Sequence, residues 1–163
     1  TVNPMSVGLW GVKDGVYWRL REFYYASREK GAQMTDAEYF EKLKALAETV
    51  GIQNIRAVII DPSAASFIEC IRRSGLFRVI PANNDVMKGI RLVSQKLQQD
   101  KIRIHASCTD ILREFSLYCW DLNAVKESVK KENDHAMDDM RYLVATLDAA
   151  PACTVPVVSA TRN

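Results

Sequence analysis

The chain has 163 residues, 48% hydrophobic and 26% charged, a balance that fits a folded globular protein and excludes wholesale disorder. Its 22 basic against 20 acidic residues leave a net charge of +2, which excludes a polybasic nucleic-acid tail but not a locally basic groove. No run of ~18 apolar residues marks a membrane span, and the length suits one domain, at ~150 residues each, with a core large enough to need no disulfide or metal staple.

Met5-Ser6-Val7-Gly8-Leu9-Trp10-Gly11-Val12 alternates apolar with small or polar residues, as a strand does. Asp14-Gly15 then supplies the positive φ of a type I′ hairpin turn, and an aromatic-rich second strand is expected over 16–25. Thr35-Asp36-Ala37-Glu38 is a capping box, opening a helix with Phe40, Leu43, Ala47 and Val50 on one face and a stop at Gly51. Ala57-Val58-Ile59-Ile60 is the short continuous apolar run of a strand covered on both faces, as in parallel sheet. Pro62 forces Asp61 into extended backbone, so its carboxylate stands at the strand's C-terminal tip. A helix over 64–74 ends at Gly75, and a strand over 77–80 follows. Asn83-Asn84-Asp85 caps a helix whose Val86, Ile90, Val93 and Leu97 form an apolar stripe. A strand over 101–105, a helix capped by Thr109 and running to Trp120, a charged loop over 121–131 and a last helix over 133–147 complete the series. Residues 149–163 carry Pro151 and Pro156 without periodicity and read as a tail or linker, leaving residues 1–148 as the domain. A hairpin followed by alternating strands and helices predicts an α/β fold with a mixed sheet, antiparallel first and then parallel, flanked by helices.

Cys70, Cys108, Cys119 and Cys153 show no zinc-site spacing. Cys70 and Cys119 lie in apolar stretches, where buried free thiols are expected, in a reducing compartment. Trp10, Trp18 and Trp120 read as core or sheet-surface packing. No Gly-x-x-x-x-Gly-Lys-Ser/Thr occurs, so these residues hold no P-loop.

Two features carry candidate chemistry. Asp61 sits at the strand edge where open α/β sheets place ligands. Asn133-Asp134-His135-Ala136-Met137-Asp138-Asp139 opens the last helix, with His135 and Asp138 on one face beside Asp139 and Tyr142. Carboxylate oxygens with an imidazole suit a hard divalent cation. The same residues have plainer readings: Asp134 complements the helix dipole, Asp-Pro starts a turn, and a lone His is a hydrogen-bonded structural one. The residues themselves leave both open.

Four segments in order resemble the C-terminal nuclease domain of phage large terminase subunits: Val58-Ile59-Ile60-Asp61-Pro62-Ser63, Ile80-Pro81-Ala82-Asn83-Asn84-Asp85-Val86-Met87-Lys88-Gly89-Ile90, Tyr118-Cys119-Trp120-Asp121, and Asn133 through Tyr142. Asp-His-Ala-Met-Asp-x-x-Arg-Tyr is the most specific of them. The resemblance implies an RNase H-like fold and an endonuclease that cuts concatemeric double-stranded viral DNA during packaging in the bacterial host cytoplasm. It also implies Mg²⁺ or Mn²⁺, two ions, held by Asp61 and Asp138, with His135 binding metal or orienting water. An N-terminal ATPase domain, a portal and a small terminase subunit are the implied partners, and no membrane is. The family's first acid would precede Asn3-Pro4; with the sequence starting at Thr1, we expect a piece of a longer protein, poorly active without that acid. Basic residues around the acidic centre, Lys126, Lys130 and Lys131 in the loop and Lys88 and Arg91 on a helix, are the candidate DNA contacts. Arg141 and Tyr142 read as a structural Arg and an inward-turned Tyr. A resolvase- or integrase-type nuclease and a non-catalytic DNA-binding or motor-docking module are the competing readings.

Overall fold

A tight hairpin begins the sheet. Asp14 and Gly15, at φ 52° and 73°, turn the chain between β1 (Met5–Lys13) and β2 (Val16–Tyr25) as the sequence predicts. The structure, a computed structural model, describes residues 4–27, 31–121, 124, 128–148 and 155–161, with the backbone alone for 155–157.

The described elements after the hairpin are α1 (Asp36–Glu48), a 3-10 turn (Ile52–Asn54), β3 (Ala57–Ile60), α2 (Ala65–Ser74), β4 (Val79–Pro81), α3 (Val86–Gln98), β5 (Ile102–Ile104), α4 (Thr109–Leu117), α5 (His135–Asp148) and β6 (Val155–Thr161). The six strands form one sheet in the order β4-β3-β6-β1-β2-β5. β1 runs antiparallel to β2 and β6, while β3 lies parallel to β4 and β6, and β2 parallel to β5. The sheet is therefore mixed, with helices on both faces.

Strand alternation divides the core in two. Met5, Val7, Leu9, Val58, Ile60, Val158 and Ala160 meet α1 and α2 on one face. Trp10, Tyr17 and Ile59 meet α3, α4 and α5 on the other. The capping box is present, with the Thr35 side chain accepting from the Glu38 amide and the Glu38 carboxylate accepting from the Thr35 amide at 2.7 Å. α2 ends as expected on left-handed Gly75, where the lack of a Cβ removes the strain of φ 67°. Asp85 caps α3 through the Lys88 amide.

Several expectations need correction. Residues 155–161, expected within a tail, form β6 and fill the centre of the sheet, between β1 and β3. Both neighbouring strands need backbone partners there, and that demand outweighs the Pro signals read as a linker. α1 also buries Tyr39 and Leu46, which the predicted face omits, beside Leu43 and Ala47, while Phe40 and Val50 pack against the same core partly buried. Thr109 does not cap α4: the cap position is Cys108, without a side-chain bond, and Glu22 of β2 accepts from the amides of Asp110 and Ile111 instead. α4 stops at Leu117, leaving Cys119 exposed outside any helix, whereas Cys70 is half-buried and Cys108 buried. Trp10 is a core residue, but Trp18 and Trp120 are nearly half exposed. No helix among the described residues is long and apolar enough to cross a membrane.

Candidate metal and nucleic-acid site

α5 is the element on which the site is built. It lies against the sheet with Ala136 through Ala145 all buried, so its charged residues must find partners inside the protein. Two buried acids supply those anchors. Asp139, fully buried, accepts hydrogen bonds from Ser6 of β1, from Arg19 of β2 at 2.5 Å, and from Ser159 of β6 at 3.2 Å. Burial disfavours the Arg19 charge, but Asp139 and then Glu22 outweigh it and raise its pKa. Glu114 of α4, also fully buried, accepts from the first amides of the helix, Ala136 at 2.7 Å and Met137 at 3.2 Å, and from the Tyr24 hydroxyl at 2.7 Å. Burial raises the Glu114 pKa despite those donors.

The sequence reading sets Asp139 beside the acidic cluster; the structure turns it away, into the sheet. Adjacent residues on a helix point about 100° apart, so anchoring Asp139 inward aims Asp138 along the helix flank. Glu114 and Arg19 escape sequence reasoning altogether, because their partners lie on other elements. The Glu-x-x-x-x pattern of α4 carries no signal for such a tertiary cap, and an Arg within an alternating strand reads as solvent-facing.

Asp61 follows β3 directly, as expected, and is 5% exposed. Its carboxylate accepts from the Ser63 amide at 2.8 Å and from the Tyr142 hydroxyl at 2.6 Å. Burial pushes the Asp61 pKa up, but the Tyr142 and Ser63 donors and the charge of Arg141 outweigh it and hold the carboxyl below its ordinary value. Asp138, one helical turn before Tyr142, is 3% exposed and accepts from Arg141 Nε at 3.2 Å and Nη2 at 2.8 Å. Both carboxylates act on the Tyr142 phenol, which burial first, then its bond to Asp61 and the charge of Asp138, keep protonated. The inward Tyr and the structural Arg expected from the motif are thus present, Tyr142 bonded to Asp61 and Arg141 to Asp138. Arg141 also fixes α3, since a Cβ on Gly89 would stand 2.7 Å from Arg141 Cδ and closer still to Cγ.

The remaining candidates scatter around this pair. His135 opens α5, and its Nε2 lies 3.9 Å from Asp134 Oδ1. Asp134 is buried; that burial, and then the Asp138 charge, raise its pKa against the pull of His135 and Lys131. Lys131 reaches into the cluster, with Nζ 3.8 Å from Asp134 Oδ2 and 4.0 Å from Asp138 Oδ2, while its side chain stays 66% exposed. Lys130 is exposed, and its amide donates to Cys119 O at 3.1 Å. Lys88 and Arg91 are exposed on α3, and Lys126 lies outside the described residues. Among the described residues, no three or more of His, Cys, Asp and Glu form a ready metal cage.

A family model described as the terminase RNase H-like domain matches residues 1–147. The chain belongs to the terminase RNase H-like domain family. It is 40% identical to the large terminase of a thermophilic bacteriophage, solved in complex with ADP, with a TM-score of 0.87, covering 92% of this chain and 38% of that one. The large terminase subunit of Escherichia phage T5 is 24% identical over 126 residues, which make up 74% of this chain and 28% of that protein. The P22 large terminase nuclease domain, at 18% identity, superposes with a TM-score of 0.66 and shares the fold. This terminase-family chain therefore spans well under half the length of the thermophilic-phage and T5 proteins. Its mixed, helix-flanked sheet is RNase H-like.

Proposed function

We propose that this domain is a divalent-metal-dependent endonuclease that cuts concatemeric double-stranded viral DNA during genome packaging in the host cytoplasm. One observation supports the reading: Asp61, at a strand tip, accepts a hydrogen bond from Tyr142 of α5, one helical turn after Asp138 on the same helix. The donor set suits the ion. Each carboxylate is fixed by hydrogen bonds yet keeps lone pairs free, and Asp138 Oδ2 already faces a cation, the Lys131 ammonium.

Asp61 and Asp138 would hold Mg²⁺ or Mn²⁺, and two ions are the proposed complement. When bound, the ions would activate water and stabilise the leaving oxyanion of the phosphodiester. Tyr142 orients Asp61, and Arg141 fixes Asp138 Oδ1 so that Oδ2 is the oxygen left to bind. His135, supported by Asp134, would orient a water or serve as a further ligand. With no cage of three such groups among the described residues, metal occupancy would be low and cutting slow. Lys131 would move from Asp138 to a DNA phosphate, with Lys126, Lys130, Lys88 and Arg91 extending a sequence-independent backbone contact. In the larger terminase an ATPase domain, a portal and a small subunit would be its partners.

The test is plasmid cleavage in Mn²⁺ alongside calorimetric Mn²⁺ titration. The unaltered chain should bind Mn²⁺ at millimolar concentration and cut slowly, and the Asp61→Ala, Asp138→Ala double variant should lose both. Cutting that persists in the double variant would overturn the site. The second reading, a non-catalytic DNA-binding module, is favoured by the cations already seated on Asp138. It predicts no Mn²⁺ binding with DNA affinity retained.

A further inference from the structure

The segment that leads into α5 is pinned on both sides of Lys131. Val129 forms an antiparallel bridge with Trp120, and the Lys130 amide donates to Cys119 O at 3.1 Å. On the other side, Asn133 Oδ1 accepts from Arg113 Nη1 at 2.7 Å. Asn133 turns the chain toward the helix at φ 53°, a left-handed conformation that Asn adopts more readily than most residues. The backbone therefore sets Lys131 beside the acids, with Nζ 3.8 Å from Asp134 Oδ2 and 4.0 Å from Asp138 Oδ2. Its neighbour Lys130, equally charged and exposed, makes no ion pair with a described residue.

Asp138 thus divides its two oxygens between cations of different kinds. Oδ1 is held by Arg141, whose side chain is 3% exposed and has nowhere else to go. Oδ2 faces Lys131, whose side chain is 66% exposed and can swing into solvent. An exposed ion pair of this sort is weak, so the ammonium is seated but displaceable. The oxygen it covers is the one that Arg141 leaves for a metal.

We propose that Lys131 is the resident counterion of this site and competes with the divalent ion for Asp138 Oδ2, so that a DNA phosphate drawing Lys131 away favours metal binding. The inference rests on the metal-site reading above and adds what regulates that site. Metal and DNA then bind cooperatively, each raising the affinity for the other by the same factor. The ion is held loosely until a phosphate backbone is in place.

Calorimetric Mn²⁺ titration of the full chain without DNA reads the competition. Lys131→Met keeps the length and removes the charge, and should bind Mn²⁺ about fivefold more tightly than the unaltered chain, the most an exposed ion pair is worth. Lys131→Arg should stay near the unaltered affinity, and so should Lys130→Met, which removes an equal charge one residue away. By fluorescence anisotropy, Ca²⁺ should raise the affinity of the unaltered chain for a short duplex more than it raises that of Lys131→Met. An unchanged Mn²⁺ affinity in Lys131→Met, or an equal gain in Lys130→Met, would overturn the role of Lys131 and leave the metal site standing. Mn²⁺ binding that none of these chains shows, or that persists in the Asp61→Ala, Asp138→Ala double variant, would instead overturn the metal site and this inference with it.

Discussion

Tyr142 bears more on the site than a sequence reading of an inward aromatic conveys. Its hydroxyl is one of the donors holding Asp61 ionised against the burial that favours protonation. Because the folded pKa of Asp61 lies below its unfolded value, that contribution to stability is present above the unfolded pKa and is lost as pH falls through the folded one. Tyr142→Phe should therefore destabilise the domain by about 1.5–3 kcal/mol at neutral pH, the range for a hydrogen bond to a buried charge. The loss should shrink in acid, once Asp61 is protonated in both variants. Urea unfolding at neutral pH and at a series of progressively more acidic pH values tests this, and a loss that never shrinks with acid would remove Asp61 from the account.

The element that matters most is α5, and it is held by charges rather than by apolar packing alone. Asp139→Asn would leave buried Arg19 with Glu22 as its remaining carboxylate partner, at a cost of about 1.5–3 kcal/mol in chemical denaturation. At the other end, Glu114 receives the free amides of the helix N-terminus. Its folded pKa lies above the unfolded one, so the wild type loses stability as pH rises through the window between them, and a glutamine does not titrate. The stability difference between wild type and Glu114→Gln should thus fall as pH rises from 4.5 and then level off. Unfolding series at several pH values would show it, and a flat difference would mean that Glu114 is not shifted in the folded state.

At this scale the sequence was informative where structure is local. The hairpin at Asp14-Gly15, the Thr35 capping box, the Gly75 stop and the Asp61 strand tip all follow from neighbours within a few residues. The tertiary caps by Glu22 and Glu114 do not, since each links helices to side chains more than twenty positions away. Asp139 illustrates the same limit: next to Asp138, it differs only in which way the helix turns it, and a helix buried on nearly all sides has no polar face from which to read the direction.

Across the whole molecule, β6 decides how the sheet is completed. Val158, Ala160 and Thr161 are fully buried, with Ile60 opposite Ala160 on one side and Val7 opposite it on the other. The Val- and Thr-rich run 155–161 carries a strand propensity that its Pro residues obscure; Pro156 sits second in the strand, near the end where Pro is tolerated. Val158→Asp would place an unpaired charge within the core. The expected cost exceeds about 4 kcal/mol, enough to abolish a cooperative unfolding transition, while a variant that unfolds normally would contradict the central placement of this strand.

That placement also governs the order of assembly. Among the described residues, β3 with β4, and β1 with β2 and β5, are two half-sheets whose backbone hydrogen bonds join through β6 alone. Val7 must wait for Ala160, nearly the whole chain away, so the ladder that unites the halves is also the one with the longest loop to close. The two halves can gather their own helices early, and the expectation from topology is that the seam between them closes last.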